Sequence, residues 1–581
     1  MRLLGRVVLW MFAVIGAFTF LMGGLGIWGA IHARPAPLPK KIVLSLDVDK
    51  GIREIDATGP LAAFGVRQGY QVEDVVEALD KAARDPNVAG LVARIDAPAL
   101  GMARTQELRD AVAAFGRAGK PTYAYSTGLD GTSLPYYLAS SFGQIWLQPS
   151  GDVALTGFMA QSPLLKGALD LLDIKAEFGA RHEYKSAVEM FSQTRFTKEN
   201  RETLQLLIDS WTRQAVDGIA ADRHLDPQQV RGLIDQAPLM ADEAKQAKLV
   251  DRLAYWDELE KHLTEDGAKI VDLNRYAATA KNEPTAVKVA LIYGIGTVQQ
   301  GGNDGFGDNG QMSADRIGQA FRDAVRDGGV KAIVFRIDSP GGSYPASDAI
   351  WREVGNARAA GKPVVVSMGD VAASGGYFAA MAADRIVAEP GTITGSIGVF
   401  SGKLVLTDFW KRLGVTWDEV HQGRNAGMWS ANAAFTPSEW DRLNSLLDHI
   451  YADFTAKAEQ NRNLKPDDMD KLARGRIWPG AEAKQVGLVD VNGGYAEALV
   501  QVRQLAKLPS QMPVRLVEFP RRKPPVEVLM DMARSGRLPG ALAADLVALD
   551  RIGKLADLAA PAADLLVGEN DALRLPPIDV K

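Results

Sequence analysis

Residues Val364–Ala388 have the sequence VVVSMGDVAASGGYFAAMAADRIVA. The run VVVSMG, rich in β-branched residues, predicts a buried strand, GGYFAAMAA predicts a helix, and RIVA predicts a second strand. Strands that alternate with helices in this way are typical of parallel sheets with crossover helices. The stretch therefore predicts an α/β fold, and it places Ser374 where a strand turns into a helix.

The same pattern occurs twice along the chain. VAGLVARID, Val88–Asp96, resembles VKAIVFRID, Val330–Asp338, at an offset of 242 residues. RAGKPTYAY matches AAGKPVVVS at 242, FGQIWLQPSGDVALTG matches ADRIVAEPGTITGSIG at 241, and ADEAKQAKLVD matches GAEAKQVGLVD at 239. A self-similarity that persists over this length indicates a tandem duplication. We therefore predict two successive α/β repeats.

A chain of 581 residues exceeds what one hydrophobic core usually serves, which also favours several domains. We predict four segments: a membrane anchor, 1–35, a first repeat, 36–285, a second repeat, 286–508, and a tail of unknown role, 509–581. The tail mixes Pro breaks with short amphipathic segments. Such a segment suits a cover for a partner, another subunit or the membrane surface, and equally a partly ordered linker.

The anchor prediction rests on Val7–Ile31, which contains 25 uncharged, mainly apolar residues. A helix needs about 20 such residues to span the hydrocarbon layer of a bilayer. The run ends in GAIHARPAPLPKK rather than in a small-residue cleavage site, which favours retention over removal as a signal peptide. Basic residues flank the run on both sides, so the positive-inside rule does not orient it.

Composition excludes several classes of function. The net charge of −5 gives no reason to expect a nucleic-acid partner. The chain has no cysteine, so disulfides and cysteine nucleophiles are excluded, and its six histidines are scattered without the spacing of a zinc motif. We expect no metal and no cofactor.

Ser374 is the first candidate for catalysis. At the start of a helix, free backbone N–H groups and the positive end of the dipole favour an alkoxide or an oxyanion. Gly375 and Gly376 follow it, and a second glycine turn, DSPGGSY at Asp338–Tyr344, offers further amides at another strand end. An ordinary capping turn accounts for the same residues, so this motif alone decides nothing.

The repeat suggests a base for Ser374. At an offset of 241, Ser374 aligns with Ser133, which is followed by Leu-Pro rather than by two glycines. At an offset of 239, Lys185 aligns with Arg424. A buried lysine can lose its proton near neutral pH and arginine cannot, so the copies look complementary.

A histidine base remains open on this reasoning. His421 or His182 would then pair with Ser374, and Asp338 would orient the ring. The alternative to a catalytic role for Lys185 is that of a solvated surface lysine.

Five motifs in order resemble the signal peptide peptidase A family of membrane-bound serine peptidases, in its long, duplicated form. They are RIDSPGG (Arg336–Gly342), MGDVAASGGYFAA (Met368–Ala380), PGTITGSIGV (Pro390–Val399), EYKSAVE (Glu183–Glu189) and GAEAKQVGLVD (Gly480–Asp490). The resemblance covers the anchor and about Ile42–Leu508.

The resemblance implies a Clp-protease/crotonase-like fold and a Ser–Lys dyad. Ser374 matches the family's nucleophile, Lys185 its general base, and Ser396 the serine that holds the lysine. The oxyanion hole matches Gly375 together with Gly341 or Gly342. The family further implies homotetramers that are anchored by a single span in the bacterial inner membrane, with the main body on the periplasmic side, and that degrade cleaved signal peptides.

Two departures from the family and two rival functions remain. The tail is longer than expected, and RIDAPALGM replaces the SPGG turn in the first copy, as expected if that copy carries no second active site. One rival is a crotonase-like enzyme acting on acyl thioesters, and the other is an inactive membrane scaffold with a peptidase fold.

Overall fold

The computed structural model describes residues 37–55, 69–279, 285–301 and 311–520, together with two short strands near the C-terminus. The predicted anchor and most of the tail lie outside the described residues. Among the helices within these ranges, none is both long enough and apolar enough to cross a bilayer.

The first repeat contains strands and helices of varied length. Its strands are β1 (Ile42–Asp47), β2 (Ile52–Arg53), β3 (Tyr70–Gln71), β4 (Val88–Arg94), β5 (Thr122–Ser126), β6 (Gln144–Leu147), β7 (Asp152–Val153), β8 (Ala160–Gln161), β9 (Lys175–Arg181), β10 (Leu239–Met240), β11 (Arg252–Leu253) and β12 (Lys269–Asp272). Its helices are α1 (Val72–Arg84), α2 (Met102–Arg117), α3 (Ser133–Ala139), α4 (Lys166–Leu171), α5 (Glu189–Ser192), α6 (Lys198–Arg223), α7 (Pro227–Gln236), α8 (Ala241–Gln246), α9 (Trp256–Thr264) and α10 (Leu273–Thr279).

The second repeat contains a similar set of strands and helices. Its strands are β13 (Val287–Ile295), β14 (Thr297–Gln299), β15 (Gln311–Ser313), β16 (Val330–Ser339), β17 (Gly341–Gly342), β18 (Val364–Ala373), β19 (Arg385–Ala388), β20 (Ile393–Gly395), β21 (Val399–Val405), β22 (Ile477–Pro479), β23 (Val491–Asn492) and β24 (Val514–Phe519). Its helices are α11 (Ala314–Arg326), α12 (Tyr344–Ala359), α13 (Gly375–Ala380), α14 (Thr407–Arg412), α15 (Pro437–Arg462), α16 (Pro466–Leu472), α17 (Gly480–Gln485) and α18 (Tyr495–Leu505). The C-terminal strands are β25 (Leu573–Arg574) and β26 (Asp579–Val580).

Each repeat is built on a parallel sheet, so the α/β prediction is confirmed. The first sheet has the order β11-β6-β5-β4-β1-β12. In the second, the pairings of β23 with β19, β19 with β18, β18 with β16, β16 with β13 and β13 with β24 are all parallel. This is the same order at corresponding positions. The central strands are mainly apolar because helices cover both faces of a parallel sheet.

The last strand of the second sheet, β24, lies beyond the boundary that we predicted after Leu508. Val514–Phe519 pairs in parallel with β13, in register from Val287↔Val514 to Ile292↔Phe519. It is the counterpart of β12, which closes the first sheet against β1 in the same way. The sequence obscured this strand because Pro509 and Pro513 precede it and an alternating pattern replaces the apolar run of the central strands.

A buried ion network joins the two repeats. Arg336 of β16 is fully buried, and its guanidinium donates to both carboxylate oxygens of Glu54 and to Glu107, each at 2.8 Å. The ring of Tyr495 lies 4.4 Å from the guanidinium carbon. Both glutamates belong to the first repeat, so the positive charge of the second repeat is neutralised only when the two repeats are packed together.

Replacing Arg336 with leucine should destabilise the folded chain strongly. The substitution leaves two buried carboxylates without their cation, and removing one partner of a buried ion pair costs about 3–5 kcal/mol. The free energy of unfolding, measured by chemical denaturation, checks this. Arg326→Leu is the control, because Arg326 forms an exposed pair with Asp323 at 3.4 Å, and such pairs contribute under about 1 kcal/mol. Equal losses in the two variants would contradict the prediction.

Candidate active site

Ser374 lies between the end of β18 and the first residue of α13. Its backbone has φ 54° and ψ −116°, a conformation that a non-glycine residue adopts at a cost of about 1–3 kcal/mol. Two backbone hydrogen bonds fix it there: its N–H donates to Gly395 at 2.8 Å, and its carbonyl accepts from Phe378 at 2.8 Å. The turn is therefore held by hydrogen bonds of its own backbone, and the Ser374 hydroxyl is left to contact Lys185.

The amine of Lys185 lies against this serine. The distance from Lys185 Nζ to Ser374 Oγ is 2.7 Å, and the distances to Ser396 Oγ and to the Ser396 carbonyl are 3.1 and 3.2 Å. A neutral amine has one lone pair and two N–H groups. Three contacts, one to a hydroxyl that can donate and two to the oxygens of Ser396 that can accept, match that valence.

Electrostatics favour the neutral amine as well. Lys185 is only 2% exposed, and burial lowers its pKa well below the usual 10.5. Within the described ranges, no carboxylate forms an ion pair with it. Folding with a neutral amine releases a proton, and the free-energy cost of that release decreases as pH rises toward the unfolded pKa.

Three contacts from the second repeat hold the loop that carries Lys185. Arg474 donates to both carboxylate oxygens of Glu183, at 2.8 and 2.9 Å. The guanidinium of Arg476 lies 3.9 Å from the centre of the Tyr184 ring. Between them, Gly475 approaches so closely that an added Cβ would lie 2.6 Å from Lys185 Cα. The position of the amine thus depends on residues almost 300 positions later in the chain.

Backbone amides converge beside Ser374. Gly375 is the first residue of α13, where helix geometry leaves N–H groups without intrahelical acceptors. Helix α13 contacts β17, the Gly341–Gly342 strand, and Gly376 allows the close approach, because a Cβ there would lie 2.8 Å from the Ser339 carbonyl. The amide of Gly341 donates to Ser339 Oγ at 3.2 Å.

The residues of the histidine alternative are found elsewhere. The His182 ring packs edge-on against Tyr451 at 4.6 Å, and His421 lies 3.6 Å from Glu419 on the surface. Among the hydrogen bonds of the described residues, none joins Ser374 to either ring.

Asp338 is half-buried near the end of β16, and among the hydrogen bonds of the described residues none joins it to a histidine. Its carboxylate accepts from the Val371 amide at 3.0 Å, and burial together with Asp370 raises its pKa to about 7. Val371 lies in the irregular part of β18 that precedes Ser374. The contact ties the strand that ends in the SPGG turn to the strand that ends in the serine.

Comparison with known proteins shows to which family this chain belongs. The model for peptidase family S49 matches residues 114–270 and 356–509, one segment in each repeat. The chain is 33% identical to Protease 4 of Salmonella typhi over 528 residues, which cover 84% of this chain and 83% of that protein. The chain belongs to peptidase family S49. The predicted membership of the long, duplicated signal peptide peptidase A group is thereby confirmed.

Two further S49 relatives agree. Serine protease SPPA of the Arabidopsis thaliana chloroplast is 31% identical, over 78% of this chain and 68% of its own length. Protease 4 of Haemophilus influenzae is 32% identical, over 79% of this chain and 76% of its own length. The chain is accordingly a serine peptidase by family.

Sequence reasoning missed the residues that position the lysine. Gly475 has φ 88°, and neither that angle nor its contact with Lys185 follows from the local sequence. The repeat contains one signal, because Gly475 aligns with Gln236 at an offset of 239. The same asymmetry between the copies marked Ser374 and Lys185.

Gly475→Ala should impair catalysis far more than stability. The new methyl group would push the Lys185 backbone away, and a displacement of about 1 Å in a catalytic group can cost about 100-fold in rate. Gly361→Ala is a matched control, since Gly361 also has a positive φ, 79°, but has no atom within 4 Å of an added Cβ. The measurement is kcat/KM on an unstructured peptide, with the thermal midpoint recorded for both variants. Equal activity in the two variants would show that the Gly475 contact does not position the amine.

Proposed function

We propose that this protein is a membrane-anchored endopeptidase that degrades cleaved signal peptides and other apolar peptides, with Ser374 as nucleophile and Lys185 as general base. The observation that carries the proposal is the 2.7 Å distance between Lys185 Nζ and Ser374 Oγ, both groups being buried. Family membership supports serine peptidase chemistry. The Clp-protease/crotonase-like fold of each repeat is part of the same proposal.

The first step is acylation. Neutral Lys185 takes the proton of Ser374 as its oxygen attacks the peptide carbonyl carbon. The carbonyl oxygen becomes an oxyanion, which accepts hydrogen bonds from the Gly375 amide and from the Gly341–Gly342 turn. The C–N bond then breaks, the Lys185 ammonium returns the proton to the leaving amine, and an ester remains on Ser374.

The second step is hydrolysis of that ester. Lys185 takes a proton from a water molecule, the resulting hydroxide attacks the ester carbonyl, and the same amides receive the oxyanion. Collapse releases a carboxylic acid and restores the serine hydroxyl. Ser396, which contacts the amine with both of its oxygens, keeps the lone pair directed at Ser374 Oγ through both steps.

A preference for apolar peptides has support beside the lysine loop. A pocket there has mainly apolar walls, with a few polar groups at Ser162, Ser186, Glu189 and Asn200. Its apolar lining is formed by Leu164, Met190, Phe196 and Leu204.

We also propose that Val7–Ile31 anchors the protein in a bacterial inner membrane, with the main body on the periplasmic side and four copies in the assembly. The length and apolar character of that run support the anchor. The periplasmic side and the homotetramer rest on the resemblance to the signal peptide peptidase A family.

The two rival functions have less support. An inactive scaffold has no need of a serine–lysine contact, and a thioester enzyme has no need of a serine nucleophile. The S49 match favours peptides over thioesters as substrates.

The proposed dyad is tested by variants and a pH profile. Ser374→Ala and Lys185→Met should each lower kcat/KM on an apolar peptide at least about 1000-fold, and Lys185→Arg should not restore it because a guanidinium stays charged. In the unaltered protein, kcat/KM should rise with pH through the lowered pKa of Lys185, since only the neutral amine accepts a proton.

Lys403→Met is the matched control for these variants. Lys403 is also buried, and burial lowers its pKa, but its amine contacts the Met428 carbonyl at 2.9 Å rather than a serine. The Lys403→Met variant should retain the peptidase activity of the unaltered protein. Hydrolysis that persists in Ser374→Ala, or an acid limb unchanged in Lys185→Met, would refute the dyad.

Membrane anchoring is tested by deleting residues 1–35. The full chain should sediment with membranes and resist carbonate extraction, whereas the deletion variant should stay in the supernatant and keep its kcat on a short peptide. A control that replaces three apolar residues of the run with alanine should still sediment. Full-length protein in the supernatant would disprove the anchor.

A further inference from the structure

An irregular segment interrupts β18 just before Ser374. The pairing of β16 with β18 runs in register up to Met368, and it resumes only at Ala372. On β16 the same interval contains a single residue, Asp338. Residues 369–371 are therefore a bulge, in which three residues lie opposite one.

The bulge is also the point where β18 changes its neighbour. Residues 365–368 pair with β19, and residues 371–373 pair with β20. Strand β20 leads directly into Ser396, which contacts the amine of Lys185. The conformation of the bulge therefore sets the position of Ser374 relative to the other two groups of the proposed site.

Side-chain hydrogen bonds hold the bulge. The Thr392 hydroxyl donates to the Gly369 carbonyl at 2.9 Å, and the Asp338 carboxylate accepts from the Val371 amide at 3.0 Å. The side chain of Asp370, the middle residue of the bulge, contacts the first repeat instead. The bulge is thus held from both repeats.

Asp370 caps a helix of the first repeat. Its carboxylate accepts a hydrogen bond from the backbone amide of Arg104 at 3.0 Å and forms an ion pair with the Arg104 guanidinium. Arg104 is the third residue of α2, where amides have no intrahelical acceptor, and Gly101, which precedes the helix, has no side chain that could supply one. The positive end of the α2 dipole also favours a carboxylate at this place. A carboxylate of the second repeat therefore completes a helix of the first.

The ion pair is partly buried, and a further contact fixes the arginine. The side chains of Arg104 and Asp370 are 21% and 14% exposed. Another nitrogen of the guanidinium donates to the Ile52 carbonyl at 3.1 Å. Salt screens a partly buried pair much less than a surface pair, so the charge of Arg104 acts on Asp370 with little attenuation.

The two repeats differ at both of these positions. At the offset of 242 Arg104 aligns with Ala346, which is also the third residue of its helix, α12, and at the offset of 241 Asp370 aligns with Leu129. Ala346 and Leu129 are buried and apolar. Each copy therefore carries one charge of the pair, which is the same division as that between the proposed nucleophile and its base.

We propose that Arg104 is a positioning residue for Ser374 and acts through Asp370 and the bulge. The inference rests on the proposed role of Ser374 as nucleophile. Arg104 and the start of α2 hold the Asp370 carboxylate, and the four-residue step from Asp370 to Ser374 is held with it. Without that contact the bulge relaxes, and the serine oxygen moves out of line with the amine of Lys185. The loss of Arg104 therefore slows the reaction, whereas the binding of substrate is unaffected.

The test is a double-mutant cycle on the full chain with an apolar peptide as substrate. Arg104→Met and Asp370→Asn should each lower kcat about tenfold and leave KM within about twofold. The double variant should also lose about tenfold, because the second change removes a contact that the first has already broken. A loss of about 100-fold in the double variant, or an unchanged kcat in Arg104→Met, would overturn the proposal.

A second version of the cycle uses Arg104→Gln in place of Arg104→Met. Glutamine has no charge but can still donate to the Ile52 carbonyl, so this variant serves if the methionine variant does not fold. The expected values are the same. Arg104→Lys, which keeps the charge, should recover kcat to within about threefold of the unaltered protein.

Arg109→Met is the matched control. Arg109 lies on the same helix and forms a partly buried ion pair with Asp222 at 2.7 Å, but this pair joins two helices of the first repeat. The Arg109→Met variant should keep kcat within about twofold, even where its thermal midpoint falls as far as that of Arg104→Met. An equal loss of kcat in the two variants would show that general loosening of α2 is the cause, and it would overturn the positioning role.

Ser374→Ala separates this proposal from the proposed function. No hydrolysis in Ser374→Ala, together with an unchanged kcat in Arg104→Met, refutes the positioning role and leaves the peptidase intact. Hydrolysis that persists in Ser374→Ala refutes the nucleophile and the positioning role together. No hydrolysis in Ser374→Ala, with a lowered kcat at constant KM in Arg104→Met, supports both.

Discussion

The central constraint on this molecule is the buried amine of Lys185, which forms no ion pair with any carboxylate of the described residues. Water would solvate the ammonium form of Lys185 far better than the protein does, so burial lowers the pKa of this amine and favours the neutral form with its lone pair available. A neutral amine at this position requires protein atoms around it on every side. The first repeat supplies the lysine loop, and the second supplies Ser374, Ser396 and the Gly475 approach. The proposed catalytic geometry therefore forms only when the two repeats are packed against each other.

Duplication explains how the halves came to differ. The two sheets keep the same strand order, and the copies share a scaffold in which only one combination of side chains is needed. Ser133 remains at the start of α3, but its hydroxyl bonds to Gly157 at 3.0 Å, so it has become a structural serine. Arg424, opposite Lys185 in the repeat, lies exposed. Each copy therefore retains the half of the chemistry that the other has lost.

Sequence patterns predicted much of the fold because it is encoded locally. The apolar run of β18, the glycine turn and the short helix α13 lie within a single stretch, and the α/β class follows from them. Comparison of the copies also indicated Lys185 as the partner of Ser374, although no local pattern does so. Strand β24 was missed because an edge strand has a weaker apolar signal. Gly475, Arg474 and the Arg336 network depend on contacts over more than 200 residues, where one sequence contains no distance information.

The contacts of Arg474 and Arg476 with the loop that carries Lys185 determine when, during synthesis of the chain, that loop is held in place. A ribosome releases the first repeat, with Lys185, long before residues 474–476 emerge, and domains fold in that order. Until then the loop lacks its salt bridge, its stacking partner and the glycine against which it packs. Under the proposed mechanism, the nascent chain consequently contains Ser374 and Lys185 before the two side chains form an oriented pair. Under that mechanism, proteolytic competence is a late event in synthesis, because it waits for the residues that hold the loop of Lys185.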